Sequence, residues 1–452
     1  MYDKNPAPTN RLRFVVLASS FGTLIEWYDF HLFGTLLTVM SQNFFPQASS
    51  FFSLIAMLVT FAIGLAVRPL GSLVFGWIGD AIGRKSTFMI TLGLMGGATA
   101  AIGILPTVTQ IGPSALVMLC LLRLLQGLAI GGEYAGAAVY VAENAAENQR
   151  GLVTGFIQST ATVGLALAIL VNLITQKILG VQQFIDWGWR IPYLLSILLV
   201  VFSYYIRRHL NESPAFVQLH LQGKTSSNPI LESFSDPVNR MNMFLALICV
   251  VAGQGVLWYT ANFYSFYFME RILKIKFQDV NLILLISSVL SVPFFVIFGH
   301  LSDRYGRMRI ILIGFFLALL GLFPIYLAMF SIGGSHAVDP VTGNLITSAF
   351  LFLIGLQFLQ NFIVSLVYGP LAAFLIDLFP IRIRYTSVSF PYHIGNGIFG
   401  GMVPLIGLLA ITNANPLDAF SSLSGLYYPF FIVVMSFTLG IFFCRRLTKK
   451  SP

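Results

Sequence analysis

The residues of this chain able to do chemistry are ionisable side chains set inside long apolar runs. Glu26, Asp29 and His31 share one such run and Arg123 lies in another. Glu26 and Asp29 are three residues apart, so on a helix they share a face, with Gly22 one turn earlier. A planar guanidinium matches a carboxylate through two parallel hydrogen bonds. Arg123 is therefore either neutralised by one of these acids, which holds a bundle together, or attracts an anion from outside the chain. In the second case the released acid takes up a proton, so Glu26 and Asp29 are the proton-coupling candidates. Arg123, Gln126 and Tyr28 are then the charged side of a binding site. His31 falls off that face and reads as a structural or lipid-interface residue. Glu133 fits an inner gate or a helix-packing role equally well. Neutral polar residues answer at helical spacing: Gln158 and Thr162; Gln254, Trp258, Tyr259, Asn262 and Phe263; Gln357, Asn361, Ser365 and Tyr368. Each stripe either bonds neighbouring helices or lines a cavity, and Gln158, Gln254, Tyr259, Asn262, Gln357 and Asn361 are the binding candidates.

The elements that carry these residues follow from composition. Of 452 residues 57% are hydrophobic and only 10% are charged, against about 25% charged in soluble domains. Twelve spans of ~20 residues need about 240 residues. Apolar runs lie near 14–40, 53–77, 88–106, 114–141, 152–176, 189–206, 243–269, 280–301, 309–330, 347–377, 386–410 and 424–443. The expected fold is an all-α integral membrane protein in the lipid bilayer. With both termini cytoplasmic, 19 of the 26 Lys and Arg fall on cytoplasmic segments, as the positive-inside rule requires. The charge of +9 is thus a topology signal, and no nucleic-acid partner is expected. The apolar run from Phe14 is too long for a signal peptide, so the first span is retained. Asp29 lies ~16 Å and Arg123 ~13 Å from the periplasmic ends of their spans at 1.5 Å per residue. Those depths agree, which predicts that Arg123 pairs with Asp29 or Glu26 and slightly favours Asp29 as the proton carrier.

The longest polar stretch, near 207–240, divides the chain into six-span halves at 1–206 and 241–452. The halves repeat. Gly76, Asp80, Gly83 and Arg84 recur as Gly299, Asp303, Gly306 and Arg307 at one offset of 223 residues. Glu143 and Arg150 recur as Asp377 and Arg384 at an offset of 234. Gly83 allows a tight turn, Asp80 can cap or complement the dipole of the next span, and Arg84 is placed to pair with an acid at the foot of a neighbouring helix. Asp80, Arg84, Glu143, Arg150, Asp303, Arg307, Asp377 and Arg384 are therefore the gating candidates, a set of charge pairs that latch one side.

These motifs and the six-plus-six repeat resemble the major facilitator superfamily. Ile25-Glu26-Trp27-Tyr28-Asp29-Phe30, Arg68-Pro69-Leu70-Gly71, Gly131-Gly132-Glu133-Tyr134 after Arg123, Trp187-Gly188-Trp189-Arg190-Ile191-Pro192 and Glu212-Ser213-Pro214-Ala215-Phe216 resemble its metabolite:proton symporter branch. That branch includes transporters of citrate, α-ketoglutarate, shikimate, and proline or betaine. The resemblance implies two pseudo-symmetric six-helix halves in a bacterial inner membrane, acting as a monomer. It also implies proton-coupled symport of a small organic anion, a carboxylate, by alternating access; the alternative is a zwitterionic osmolyte such as proline or betaine. The chain ends shortly after Arg445-Arg446 without a coiled-coil tail, which weakens the osmolyte alternative. Arg190 reads as an interfacial anchor beside two tryptophans or as a periplasmic gate, and Arg68 has no evident partner. No cofactor or metal is expected, because Cys120, Cys249 and Cys444 lie apart in apolar runs and no G-x-x-x-x-G-K-[ST] occurs. A membrane enzyme would need clustered catalytic groups, and the six histidines are scattered.

Overall fold

The computed structural model describes residues 9–46, 48–209, 211–332, 345–411 and 418–447. Lys4, Lys449 and Lys450, which entered the charge tally, lie outside the described residues. In hydrocarbon every backbone N–H and C=O must be satisfied within the chain, so long apolar runs become helices. The first is α1, Thr9–Thr35, continued after a break at Leu36 by Leu37–Phe44. It is the most polar span, because it carries Glu26, Asp29 and His31. Eleven further helices are long and apolar enough to cross a membrane among the described residues. They are α2 (Phe52–Ala81), α3 (Arg84–Ile104), α4 (Ser114–Glu143), α5 (Glu147–Leu179), α6 (Arg190–Arg207), α7 (Pro237–Ile272), α8 (Phe277–Tyr305), α9 (Arg307–Ile332), α10 (Thr347–Leu378), α11 (Ile381–Ala410) and α12 (Phe420–Cys444). Outer faces expose Leu198, Val201 and Phe202 on α6 and Ile441 and Phe442 on α12, the apolar surface that lipid solvates.

The stretch between α6 and α7 is more ordered than a plain polar linker. It forms two short helices, Pro214–Leu221 and Pro229–Ser235, each starting at a side-chain cap from Ser213 or Asn228. Arg207, read from sequence as the first linker residue, is instead the last residue of α6 and is 2% exposed.

Small residues set how closely the helices approach. A Cβ on Gly127 would stand 1.9 Å from the Gly64 carbonyl oxygen, and one on Gly131 2.4 Å from that of Arg68. Helices α2 and α4 therefore touch backbone to backbone along a G-x-x-x-G stripe. Two contacts join the halves in the same way. Gly151 of α5 abuts Gly299 of α8, and Gly76 and Gly79 of α2 abut Thr386 and Tyr385 of α11. These α5–α8 and α2–α11 contacts are each other's counterparts under the internal repeat. Two of the shortest interhelix turns are closed by Gly83 (φ +140°) and Gly306 (φ +94°), conformations that side chains other than glycine rarely adopt.

Candidate functional site

The gating candidates gather at one end, called here the basic end. Asp80 accepts from the Tyr385 N–H at 3.2 Å and from the Thr386 N–H and hydroxyl, both at 2.9 Å. Asp303 accepts from the Gly151 N–H at 2.8 Å and the Leu152 N–H at 2.9 Å. Each loop acid thus caps the first turn of a helix in the opposite half, α11 for Asp80 and α5 for Asp303. The sequence expectation had Asp80 cap or complement the next span; its hydrogen bonds go to α11 instead, while it stays 3.2 Å from Arg84 at the start of α3. Arg84 lies 3.2 Å from Asp80 and 3.7 Å from Glu143, and Arg384 reaches Glu143 at 3.5 Å across the halves. In the repeat, Arg307 pairs with Asp377, and Arg150 reaches Asp377 at 3.0 Å across the halves. A cavity of about 590 Å³ also sits at this end, lined by Arg150, Lys224, Asp377, Arg382 and Arg384 among others. It is well away from Arg123.

The interior charges are arranged differently from the expected pairing. Among the described residues no ion pair joins Arg123 to Glu26 or Asp29. Glu26 pairs with Arg207 at 2.9 Å, and the same guanidinium holds Glu133 at 2.6 Å. The Thr91 hydroxyl donates to the second Glu133 oxygen at 3.0 Å. Gly22 makes room for this triad, since a Cβ there would stand 2.2 Å from Arg207 Nε. Agreement in depth was insufficient because α6 reaches inward and offers Glu26 a nearer cation. Asp29, fully buried, faces the hydroxyls of Thr99 and Ser196 instead.

Arg123 is left with neutral company. Its Nη1 donates to Gln126 Oε1 at 2.6 Å, and Gln126 donates to Thr99 at 2.8 Å. The guanidinium carbon lies 4.2 Å from the ring centre of Phe33 and 5.5 Å from those of Phe30 and Phe61. Tyr28 turns away, its hydroxyl donating to the Pro192 carbonyl of α6 at 2.8 Å. Arg190 donates to the Gly103 and Leu105 carbonyls and lies over Trp189, the geometry of an anchor.

The C-terminal half meets this region with neutral groups. Of the stripe on α7, Tyr259 faces the opposite half. Gln254 accepts from Asn396 of α11 at 2.9 Å, and Asn262 donates to its own helix at Trp258 O. Gln357 accepts from Ser265 at 2.5 Å and also donates to the Ala261 carbonyl, so it ties α10 to α7 within one half. Asn361 is buried beside it on α10. Gln158 bridges the halves by donating to Tyr368 O at 2.9 Å. His31, expected to be structural or at a lipid interface, is structural: it is fully buried and stacks between Trp27 and Trp258, each ring centre 5.2 Å away. Helix α1 turns that face inward because the facing aromatics of α7 complete the layer.

Sequence reasoning passed over Arg68 and His393. Arg68 Nε donates to His393 Nδ1 at 3.2 Å, and Nη1 to the Tyr259 hydroxyl at 3.4 Å, both across the halves. The available signal was a mid-span arginine immediately before Pro69, with no acid within helical reach. The halves also touch at the other end, where the Thr38 hydroxyl donates to Glu270 at 3.4 Å and Gln278 meets Gln176 at 3.3 Å.

The sequence pattern of the Sugar (and other) transporter family matches residues 15–233. The chain is 32% identical over 417 residues to the shikimate transporter of Escherichia coli K12, covering 91% of this chain and 90% of that protein. It is 28% identical over 440 residues to the proline/betaine transporter of Salmonella typhimurium LT2, covering 95% and 83%. The solved structure of the major facilitator superfamily proton:xylose symporter XylE, bound to 6-bromo-6-deoxy-D-glucose, superposes with a TM-score of 0.75 at 16% identity, over 98% of this chain and 97% of that one. With its twelve-helix fold in two related halves and this similarity along its whole length, the chain belongs to the sugar (and other) transporter family of the major facilitator superfamily and is a multi-pass membrane transporter of metabolites, not an enzyme.

Proposed function

We propose that this chain is a secondary active transporter that carries a small organic anion, a carboxylate, inward together with protons across a bacterial inner membrane. One observation carries the reading: Arg123 is fully buried and holds no carboxylate among the described residues. A buried charge broken from its partner costs several kcal/mol, so a guanidinium kept beside Gln126 and three phenylalanine faces fits a site whose counter-ion is the cargo. Asp29 lies nearby, fully buried beside the Thr99 and Ser196 hydroxyls, and neither of its carboxylate oxygens has a hydrogen-bond partner among the described residues. It is the proton carrier in this reading, with Glu26 the second candidate. The halves 1–206 and 241–452 rock about the linker 207–240. The basic end, cytoplasmic by its charge, opens when the Asp80, Arg84, Glu143, Arg384 and Asp303, Arg307, Asp377, Arg150 clusters part.

The second reading is uptake of a zwitterionic osmolyte. It is favoured by the stacked Trp27–His31–Trp258 layer, since aromatic faces suit a quaternary ammonium, and by the similarity to a proline/betaine transporter. The deciding experiment is proton flux in liposomes holding the purified protein at clamped potential, read by a pH dye. External alkalinisation on adding a carboxylate supports anion–proton symport. A signal with betaine or proline alone transfers the assignment to the osmolyte. Labelled uptake without any proton signal overturns the coupling.

A further inference from the structure

We infer that Arg68 is a second anion anchor, and that Arg68 and Arg123, set around the Phe30 ring, form one cradle for a carboxylate bearing a second acceptor group. This rests on the anionic cargo proposed above. Both guanidiniums are fully buried, with their carbons 5.6 Å and 5.5 Å from the centre of the Phe30 ring. Neither has an acid within ion-pair distance among the described residues. Arg68 Nη2 and Arg123 Nε and Nη2 also have no hydrogen-bond acceptor there. Three buried N–H-bearing nitrogens on two cations therefore wait for acceptors that the described residues do not supply. Leaving such donors unmet is costly. A cargo with two acceptor sites satisfies both arginines, whereas a plain monocarboxylate satisfies one.

The surroundings of Arg68 indicate what the second contact does. Pro69 lacks an N–H, and α2 breaks at Val67 immediately before Arg68. Helix α11 packs on that break, a Cβ on Gly397 standing 2.6 Å from the Leu65 carbonyl oxygen. The partners across the halves sit beside wide π-helical turns, Tyr259 next to Thr260–Tyr264 of α7 and His393 near Gly395–Gly400 of α11. All three helices are locally irregular where they meet. A cargo group held by Arg68 also reaches Tyr259, whose hydroxyl bonds Arg68 and which lies in the field of both guanidiniums. The second acceptor group thus ties the charged half to the neutral one.

The test is calorimetric binding to the full chain in nanodiscs. The probes are shikimate, its skeleton without hydroxyls (cyclohex-1-enecarboxylate) and the dicarboxylate 2-oxoglutarate. Arg68→Gln is expected to weaken the tighter of shikimate and 2-oxoglutarate by about tenfold or more, and to leave cyclohex-1-enecarboxylate within about twofold. Tyr259→Phe, which removes one oxygen and keeps the ring, should move the same probe by severalfold and remains informative if Arg68→Gln does not fold. Equal losses for all three probes, or none with either variant, overturn the second anchor while leaving Arg123 as the anion site. If the unaltered protein binds none of the three, the anionic cargo itself falls.

Discussion

The two halves are alike at the basic end and unlike in the middle. At the basic end Asp80 caps α11 as Asp303 caps α5, and Glu143 and Asp377 each gather two arginines. In the buried interior the N-terminal half holds Glu26, Asp29, Arg68, Arg123, Glu133 and Arg207, while the C-terminal half presents Gln254, Tyr259, Gln357, Asn361, His393 and Asn396. The duplicated motifs at the basic end give two matched charge clusters, which the proposed rocking of the halves would use as latches. The unmatched centre places charge chemistry in one half and leaves the other to close over it with neutral groups. In the proposed cycle, opening and closing then need not separate ions across the interface between the halves in the buried interior, where separation costs most.

The sharpest way to break this comparison is Asp29→Asn. Uphill accumulation driven by a proton gradient should vanish while exchange down a substrate gradient persists, measured in the same liposomes; equal loss of both would remove Asp29 from coupling. Glu26→Gln is a milder change, since it leaves a neutral Arg207–Glu133 pair. The next effect is on stability. Arg207→Gln abandons two buried carboxylates, and thermal unfolding should show a loss of about 3–5 kcal/mol, largely restored by adding Glu26→Gln and Glu133→Gln. No single substitution at mid-membrane in the C-terminal half should approach that loss.

At the ends, symmetry is the prediction. Asp80→Asn and Asp303→Asn should each slow turnover by about tenfold, the worth of charge-assisted bonds to N–H groups, with substrate Kd little changed; a large Kd change in either would contradict the latch. The smallest effect belongs to Gln254→Ala. It removes one hydrogen bond to Asn396, worth about 1 kcal/mol, and should change Kd by less than an order of magnitude in counterflow. A larger effect would move part of the binding chemistry into the C-terminal half.

Much of the fold was legible because its causes are local or repeated. Apolar runs announced the spans, and the 223- and 234-residue offsets announced the halves. The Arg84–Glu143 and Arg307–Asp377 contacts lie close to where the spacing put them. The interior was less legible. Arg207 looked like a solvated charge because it follows a short span next to Arg208, yet its side chain turns inward to two acids on α1 and α4. Arg68 had no evident partner because His393 lies 325 residues away in the other half. His31 was left between a structural and a lipid-interface role because an isolated helix shows which residues share a face, not what that face meets.

By itself the sequence determined the number of the spans, the duplication, and the concentration of charge within the spans of one half. Those properties follow from hydropathy and from backbone groups that each helix satisfies alone. Only the tertiary structure decided which charges are neutralised and which are left for a ligand. Pairing depends on a few ångströms of approach between helices far apart in sequence, and here contacts such as Gly127 on Gly64 and Gly22 beside Arg207 set those distances.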